Sequence, residues 1–509
     1  MTRIKEFWLL VCFIVLLVAV LVRYAKIQPF RSHFSAVCLP LEPSDGAALF
    51  WPLKQVHPAQ GDRILPVNTS AEGLKSTWLV ELCSGVVSPG VHSRSGSLRV
   101  TRVRGCQGTE ASTSPALDAS TPKYLKDAGA ALGPDEFHAI LEGPEWHFLW
   151  PQHQGGCVYS FPYSVNSPGK YRVLLINLRD SWEALEEVHW IYHTLTLDNL
   201  VGDHTFFEVG MRTHLEESGE MPCVTPLPIV PAGRWVRKPS AGPLLDLFDS
   251  WDAPPVTARV TFYFGGINAF YYTDARQDIA WLSEKCSRPD TLDGSLSCFE
   301  NKKVLIVGDS QSRFASTFLV ETLCKNKAPI PKYPEGEIVP VEPSCPGVSV
   351  SYMRDELGTM PLPVSGDWDV IFVNFGQHQV SRSYIPVAHY ETLVKEYAEK
   401  VLLPYTELHP VTRIAWLETF PFNPSTHLFT IMHNDLRTYH RLKLHVLAAR
   451  SVFQPYLDAR QLGYVPIFDF LQPLADFADT SGHFNGIPEV AAEIAWRFSS
   501  FVCDSYGSV

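Results

Sequence analysis

Three stretches of the chain carry residue types that serve acyl-group chemistry. In "VLIVGDSQSR" an aliphatic run ends in Gly308, Asp309 and Ser310. Glycine permits a tight exit from a strand, the aspartate can bond the backbone of the turn, and Ser310 then opens a helix expected over residues 313–324. A serine so placed exposes its hydroxyl and aims its own backbone N–H at a developing oxyanion. Taken alone, the same triplet also describes a capping serine beside an aspartate that steadies a turn. The second stretch, "DVIFVNFGQHQ", delivers Asn374, Gly376, Gln377 and His378 after a short apolar run. A glycine lets a backbone N–H approach a substrate, and an amide side chain can add a second donor for an oxyanion. His378 is a candidate base or substrate contact. The third, "ADFADTSGHFNG", supplies Asp476, Asp479 and His483. A serine nucleophile needs a base to take its proton and a carboxylate to orient that base, and this loop holds both.

For these loops to meet, strands must bring them to one edge. Short apolar segments at 304–307, 370–373, 413–417 and 464–468 alternate with stretches of helical period. Leu393, Tyr397 and Val401 repeat at four-residue spacing, as do Leu436, His440 and Leu444, and again Val490, Ile494 and Phe498. Such alternation predicts an α/β domain with a largely parallel sheet, and in such sheets sites lie beyond the carboxyl ends of the strands. Residues 76–275 read differently. Strands are expected at 170–178, after Ser167-Pro168-Gly169, and at 257–264, with a Ser/Thr/Ala/Pro-rich loop over 107–122. Short strands between Pro/Gly turns predict a β-rich, sandwich-like domain. The expected organisation is therefore a cytosolic tip and anchor over 1–26, a stem over 27–75, the β-rich accessory domain over 76–275 and the catalytic α/β domain over 276–509.

Composition limits the setting. The 509 residues suffice for two folded units. A formal charge of −12, with 42 Lys and Arg against 54 Asp and Glu and no long basic run, argues against a nucleic-acid partner. At the N-terminus, Arg3 and Lys5 precede an apolar run over residues 7–22, followed by Arg23 and Lys26. Ala19 and Ala25 offer a poor cleavage site, so the run reads as an uncleaved signal anchor, a single-pass type II transmembrane helix. Its shortness suits a thin membrane, which points to the Golgi with the chain in the lumen; the endoplasmic reticulum or secretion are the alternatives. Eleven cysteines agree: Cys12 lies in the apolar run, and the other ten are an even number for disulfides in an oxidising lumen. Cys286 paired near Cys298 or Cys503 would brace the last domain. No CxxC pair suggests a metal, and Asn68-Thr69-Ser70 is a glycosylation sequon at Asn68.

In the order serine, oxyanion glycine, aspartate, histidine, the three motifs resemble the SGNH, or GDSL, hydrolase superfamily. More narrowly they resemble its PC-esterase branch, which includes the plant trichome-birefringence-like glycan O-acetyltransferases, the luminal domain of the animal sialic-acid O-acetyltransferase and the neurexophilin-and-PC-esterase proteins. The narrower resemblance rests on "CFENKKVLIVGDSQSR", where Cys298 precedes the strand and Arg313 completes GDSxxR, on "NFGQH", and on "WLSEKC" with Trp281 and Cys286. It covers roughly residues 280–505; the β-rich region is similar to the relatives only in texture. The resemblance implies a three-layer SGNH fold with Ser310 as nucleophile, His483 as general base and Asp479 as the acid that orients it. It implies an oxyanion hole from the N–H groups of Ser310 and Gly376, helped by Asn374 or Gln377, with Arg313 and His378 as substrate contacts. The relatives have two residues between the aspartate and the histidine. "DTSGH" has three, so Asp476 or a backbone carbonyl is an alternative orienting group.

The expected activity is serine-dependent O-acetyl transfer to a glycan acceptor, without a bound cofactor but with an acetyl donor such as acetyl-CoA or an acetylated intermediate as cosubstrate. One apolar span cannot carry that donor across a membrane, so a donor or transporter partner is expected. The alternatives are an acetylesterase acting on glycans or small esters with the same triad, and a non-catalytic anchored glycoprotein that binds a partner through its β-rich domain.

Overall fold

The computed structural model describes residues 37–41, 77–88, 91–104, 117–180, 182–185, 198–201, 205–210, 233–237, 279–283, 297–325, 334–342, 345–364, 367–381, 385–422, 437–477, 484 and 487–503. The N-terminal apolar run, Asn68, the strand expected at 257–264, Asp479 and His483 lie outside them. Among the described residues no helix is long and apolar enough to cross a membrane.

Among the described residues the chain is a mixed α/β structure with two sheets. In the first, twelve strands are described: β1 (Val37–Pro40), β2 (Thr77–Ser88), β3 (Val91–Arg104), β4 (Glu136–Glu142), β5 (Glu145–Phe148), β6 (Gln152–His153), β7 (Val158–Ser164), β8 (Gly169–Arg179), β9 (Asp198–Asn199), β10 (Phe206–Val209), β11 (Gly233–Arg237) and β12 (Ile279–Ser283). They form one hydrogen-bonded network, not two separate sheets, with the path β1-β2-β3-β10-β8-β4-β5-β11-β12 and β7 branching from the long strand β3. The network folds over itself. Phe137 on β4 packs edge-on against Tyr159 and Phe161 on β7, at 4.8 and 5.3 Å between ring centroids, although β4 and β7 are not hydrogen-bonded neighbours. The interior so closed holds Val80, Leu98, Leu141, Tyr171 and Val173. A helix, Lys123–Leu132, follows the segment expected as a loop.

The second sheet has six strands, β13 (Lys302–Gly308), β14 (Ile338–Pro340), β15 (Val348–Arg354), β16 (Val370–Val373), β17 (Arg413–Leu417) and β18 (Gly463–Val465), in the order β14-β15-β13-β16-β17-β18. All pairs are parallel except the edge pair β14 and β15. Strands β13, β16 and β17 are nearly continuous apolar runs because both faces are covered. Val304 and Ile306 of β13 face Phe314, Phe318, Ile494 and Phe498, from helices Ser310–Cys324 and Pro488–Cys503. Leu305 and Val307 face Tyr390, Val394, Leu444 and Phe453, from helices Val387–Tyr397 and Tyr439–Asp458. Successive side chains of one strand thus enter different cores, which makes three layers.

Two details depart from the expected elements. The strand expected at 464–468 stops at Val465, because Pro466 has no N–H to continue the ladder and the next two N–H groups turn to a side chain. Ile467 N and Phe468 N donate to the Glu418 carboxylate at 2.8 and 2.6 Å, and a helical turn, Phe468–Leu471, begins there. Strands β14 and β15 had no counterpart among the expected elements; β15 alternates Ser with Val and Tyr, too polar to read as buried parallel strand.

The two sheets share buried contacts. Trp235 of β11 and Ile279 of β12 lie in the same core as Val304, and Trp235 Nε1 donates to the Phe470 carbonyl at 2.8 Å. Thr438 Oγ1 donates to the Ala184 carbonyl at 2.6 Å, and Tyr439 N donates to Glu136 Oε1 at 2.5 Å. Disulfides join Cys38 to Cys83, Cys298 to Cys503 and Cys324 to Cys345. Cys298 therefore pairs with Cys503 itself, and Cys286 lies outside the described residues.

Candidate active site

The site lies at the carboxyl edge of the parallel sheet, and its centre is the turn from β13 into the helix Ser310–Cys324. Gly308 has φ +153, and a Cβ there would collide with the Asn374 carbonyl oxygen and Ser312 Oγ. Only glycine can leave the strand this close to its neighbour. Asp309 is fully buried and is the helix N-cap, accepting from Gln311 N at 2.9 Å and Ser312 N at 3.3 Å through Oδ1. Its Oδ2 is buried with no hydrogen-bond partner among the described residues. Burial, the largest influence, pushes its pKa up, against the pull of His378 and of the two backbone N–H groups. The capping residue is thus Asp309, and Ser310 is the first helical residue, partly exposed where its neighbours are buried.

The turn is held from the β15 side. Tyr352 Oη lies 2.7 Å from the Gly308 carbonyl oxygen and 3.0 Å from that of Asp309, and Asp355 N donates to the Gly308 carbonyl at 3.0 Å. Tyr352 is buried, which raises its phenol pKa, so it stays a neutral donor at ordinary pH. From the β16 side, Asn374 N donates to the Val307 carbonyl at 2.9 Å.

Strand β16 brings Asn374, Gly376, Gln377 and His378 to this edge, as expected from the sequence. Gly376 packs so tightly under Tyr390 and Thr419 that a Cβ would meet Tyr390 Oη at 3.0 Å and collide with Thr419 Oγ1. Both amides are buried, and both have one N–H committed to the end of β17 or the loop after it: Asn374 Nδ2 donates to the Leu417 carbonyl at 2.7 Å, Gln377 Nε2 to that of Phe420 at 2.6 Å. Each –NH₂ carries a second hydrogen. Asn374 Oδ1 accepts from Ser312 Oγ at 3.3 Å, which ties β16 to the Ser310 helix.

His378 lies differently from the buried amides. Its ring is partly exposed and its Nδ1 is 3.3 Å from Glu356 Oε2. Glu356 is held in turn by Arg354, whose Nε and Nη2 donate to its Oε1 at 2.9 and 2.5 Å. Sequence reasoning missed Glu356 and Arg354 because it missed β15; the alternation in "VSVSYMR" was the available signal. Arg313 stands one turn into the helix, its guanidinium carbon 5.3 Å from the Phe314 ring centroid. The backbone of Asp476 is in a turn, Gln472–Phe477, and Asp479 and His483 lie outside the described residues. Among the described residues there is no cluster of three His, Cys, Asp or Glu side chains placed to hold a metal ion.

No protein-family model matches this chain, and no curated protein matches it. Among solved structures it is similar to one described as a GDSL-like lipase from Parabacteroides merdae, at 15% identity and a TM-score of 0.27, over 40% of this chain and 97% of that one. A likeness of that size is no argument for fold or activity.

Proposed function

We propose that this chain is a serine-dependent O-acyltransferase of the secretory pathway, acting on glycan hydroxyls through an acyl-serine intermediate, with acetyl as the acyl group. What supports the reading is the position of Ser310: first in its helix, partly exposed, at the carboxyl edge of a parallel sheet and beside the loop that carries Gly376. Backbone N–H groups at such an edge suit an oxyanion. In the first half of the reaction Ser310 Oγ attacks the acyl carbon while His483 takes its proton, and the tetrahedral oxyanion rests on the N–H groups of Ser310 and Gly376. Collapse expels the donor's leaving group, which takes the proton from His483. In the second half an acceptor hydroxyl gives its proton to His483 as its oxygen bonds to the acyl carbon, and Ser310 Oγ leaves and takes that proton. Asp479, or Asp476 in its place, orients His483.

Transfer and hydrolysis share these steps and differ in whether a sugar hydroxyl or water enters second. The apolar run over residues 7–22 favours biosynthesis in the Golgi lumen, hence transfer, with an acetyl donor supplied by a membrane partner. The experiment is turnover of an aryl acetate by the protein and by Ser310→Ala. Equal rates for the two would sink the serine reading. Mass spectrometry of cellular glycans after deletion of the gene identifies the acceptor: loss of O-acetyl groups supports transfer, and their gain supports hydrolysis.

A further inference from the structure

Strands β15 and β16 lie on opposite sides of β13, two strand spacings or about 10 Å apart. Glu356 follows β15 by two residues and His378 follows β16 by five, yet their side chains meet at 3.3 Å. The pair therefore arches over the carboxyl end of β13, where the chain turns through Gly308 and Asp309 into Ser310. Both residues act electrostatically on Asp309 beneath them. Arg354, which anchors Glu356, stands opposite Gly308 in the ladder. Gln379 Nε2 adds a bond to the Glu356 carbonyl at 3.3 Å.

This arrangement fixes what the array can offer a ligand. Glu356 faces His378 at Nδ1, so the ring's Nε2 is the nitrogen left for a ligand hydroxyl, which can both donate and accept. Glu356 and Arg354 cancel each other's charge, so the array presents directional hydrogen-bonding groups with little net charge. The side chains of Arg354, His378 and Glu356 are 40%, 30% and 22% exposed, open to a ligand while anchored by one another. Such a surface suits a neutral hydroxyl better than an anion.

Resting on the serine reading above, we propose that Arg354, Glu356 and His378 form the acceptor subsite of Ser310. It takes a vicinal diol of a neutral sugar: His378 Nε2 hydrogen-bonds the hydroxyl next to the one that is acylated. The acylated hydroxyl keeps its own proton for His483, so the transfer step is unchanged. The subsite would favour acceptors with two adjacent hydroxyls over those with one.

The test measures how the acyl-enzyme, loaded from an aryl acetate, divides its acetyl group between 1,2-propanediol and 1-propanol at equal concentration. The unaltered protein is expected to prefer the diol, and His378→Ala to lower that preference about three- to tenfold, the size of one hydrogen bond. Glu356→Gln keeps the shape of the arch and should lower it in the same direction. A diol preference equal in all three proteins, or absent from the unaltered one, would overturn the subsite. Absence of an acetyl group on Ser310 in the unaltered protein would overturn the serine reading and the subsite with it.

Discussion

The side-chain amide of Asn374 donates to the Leu417 carbonyl oxygen at 2.7 Å, so a residue expected to serve an oxyanion also fastens β16 to the end of β17. Its Oδ1 accepts from Ser312 Oγ as well. Asn374→Ala should therefore leave buried groups unpaired and lower the unfolding free energy by about 1–3 kcal/mol. Urea denaturation checks this. Unchanged stability would show that the bonds across the strand ends contribute little.

Gly308→Ala should destabilise more than the same change at Gly347. Both positions have positive φ, at +153 and +79, so each substitution strains the backbone by about 1–3 kcal/mol. At Gly347 the nearest atoms to an added Cβ are 4.0 Å away, whereas at Gly308 they collide. Thermal melting of the two variants separates strain from crowding, with the lower melting temperature expected for Gly308→Ala.

Asp309 gives a pH dependence of defined sign. Burial raises its folded pKa above the ordinary aspartate value, so as pH rises from that value the folded state holds a proton that the unfolded state has released. Its contribution to stability then falls until pH passes the folded pKa. Asp309→Asn keeps an oxygen to accept from Gln311 N and Ser312 N but cannot ionise. The variant should match the unaltered protein near pH 3 and exceed it in melting temperature near pH 7. A variant less stable at pH 7 than at pH 3, relative to the unaltered protein, would show that the ionised carboxylate is the favoured form.

The disulfide between Cys298 and Cys503 closes a sequence separation of 205 residues and ties the C-terminal helix to the chain just before β13. Cys324 to Cys345 closes only 21. In the chain-entropy view a longer closed loop gives the larger stabilisation, typically about 2–4 kcal/mol. Replacing Cys298 and Cys503 together by serine should thus lower the melting temperature more than replacing Cys324 and Cys345. The reverse order would make local packing around each bond the deciding factor.

The apolar runs of β13, β16 and β17 were legible in the sequence because a parallel strand covered on both faces must be apolar throughout. The helix after Ser310 and the arrival of Asn374, Gly376, Gln377 and His378 at one edge followed from them. Strand β15 was not legible, since it pairs at the margin of the sheet and mixes serine with apolar residues, and with it went Tyr352, Arg354 and Glu356. The sequence by itself determined that Gly308, Asp309 and Ser310 end a buried strand, because aliphatic runs and a glycine turn are local properties. Only the tertiary structure decided that Asp309, not Ser310, caps the helix. It alone decided that the Asn374 and Gln377 amides are tied to the end of β17 and the loop after it, and that His378 meets Glu356 across the end of β13. The cap is a local bond that the sequence offers to either residue; the other outcomes depend on strand order and burial, which join residues distant in the chain and leave no mark on local spacing.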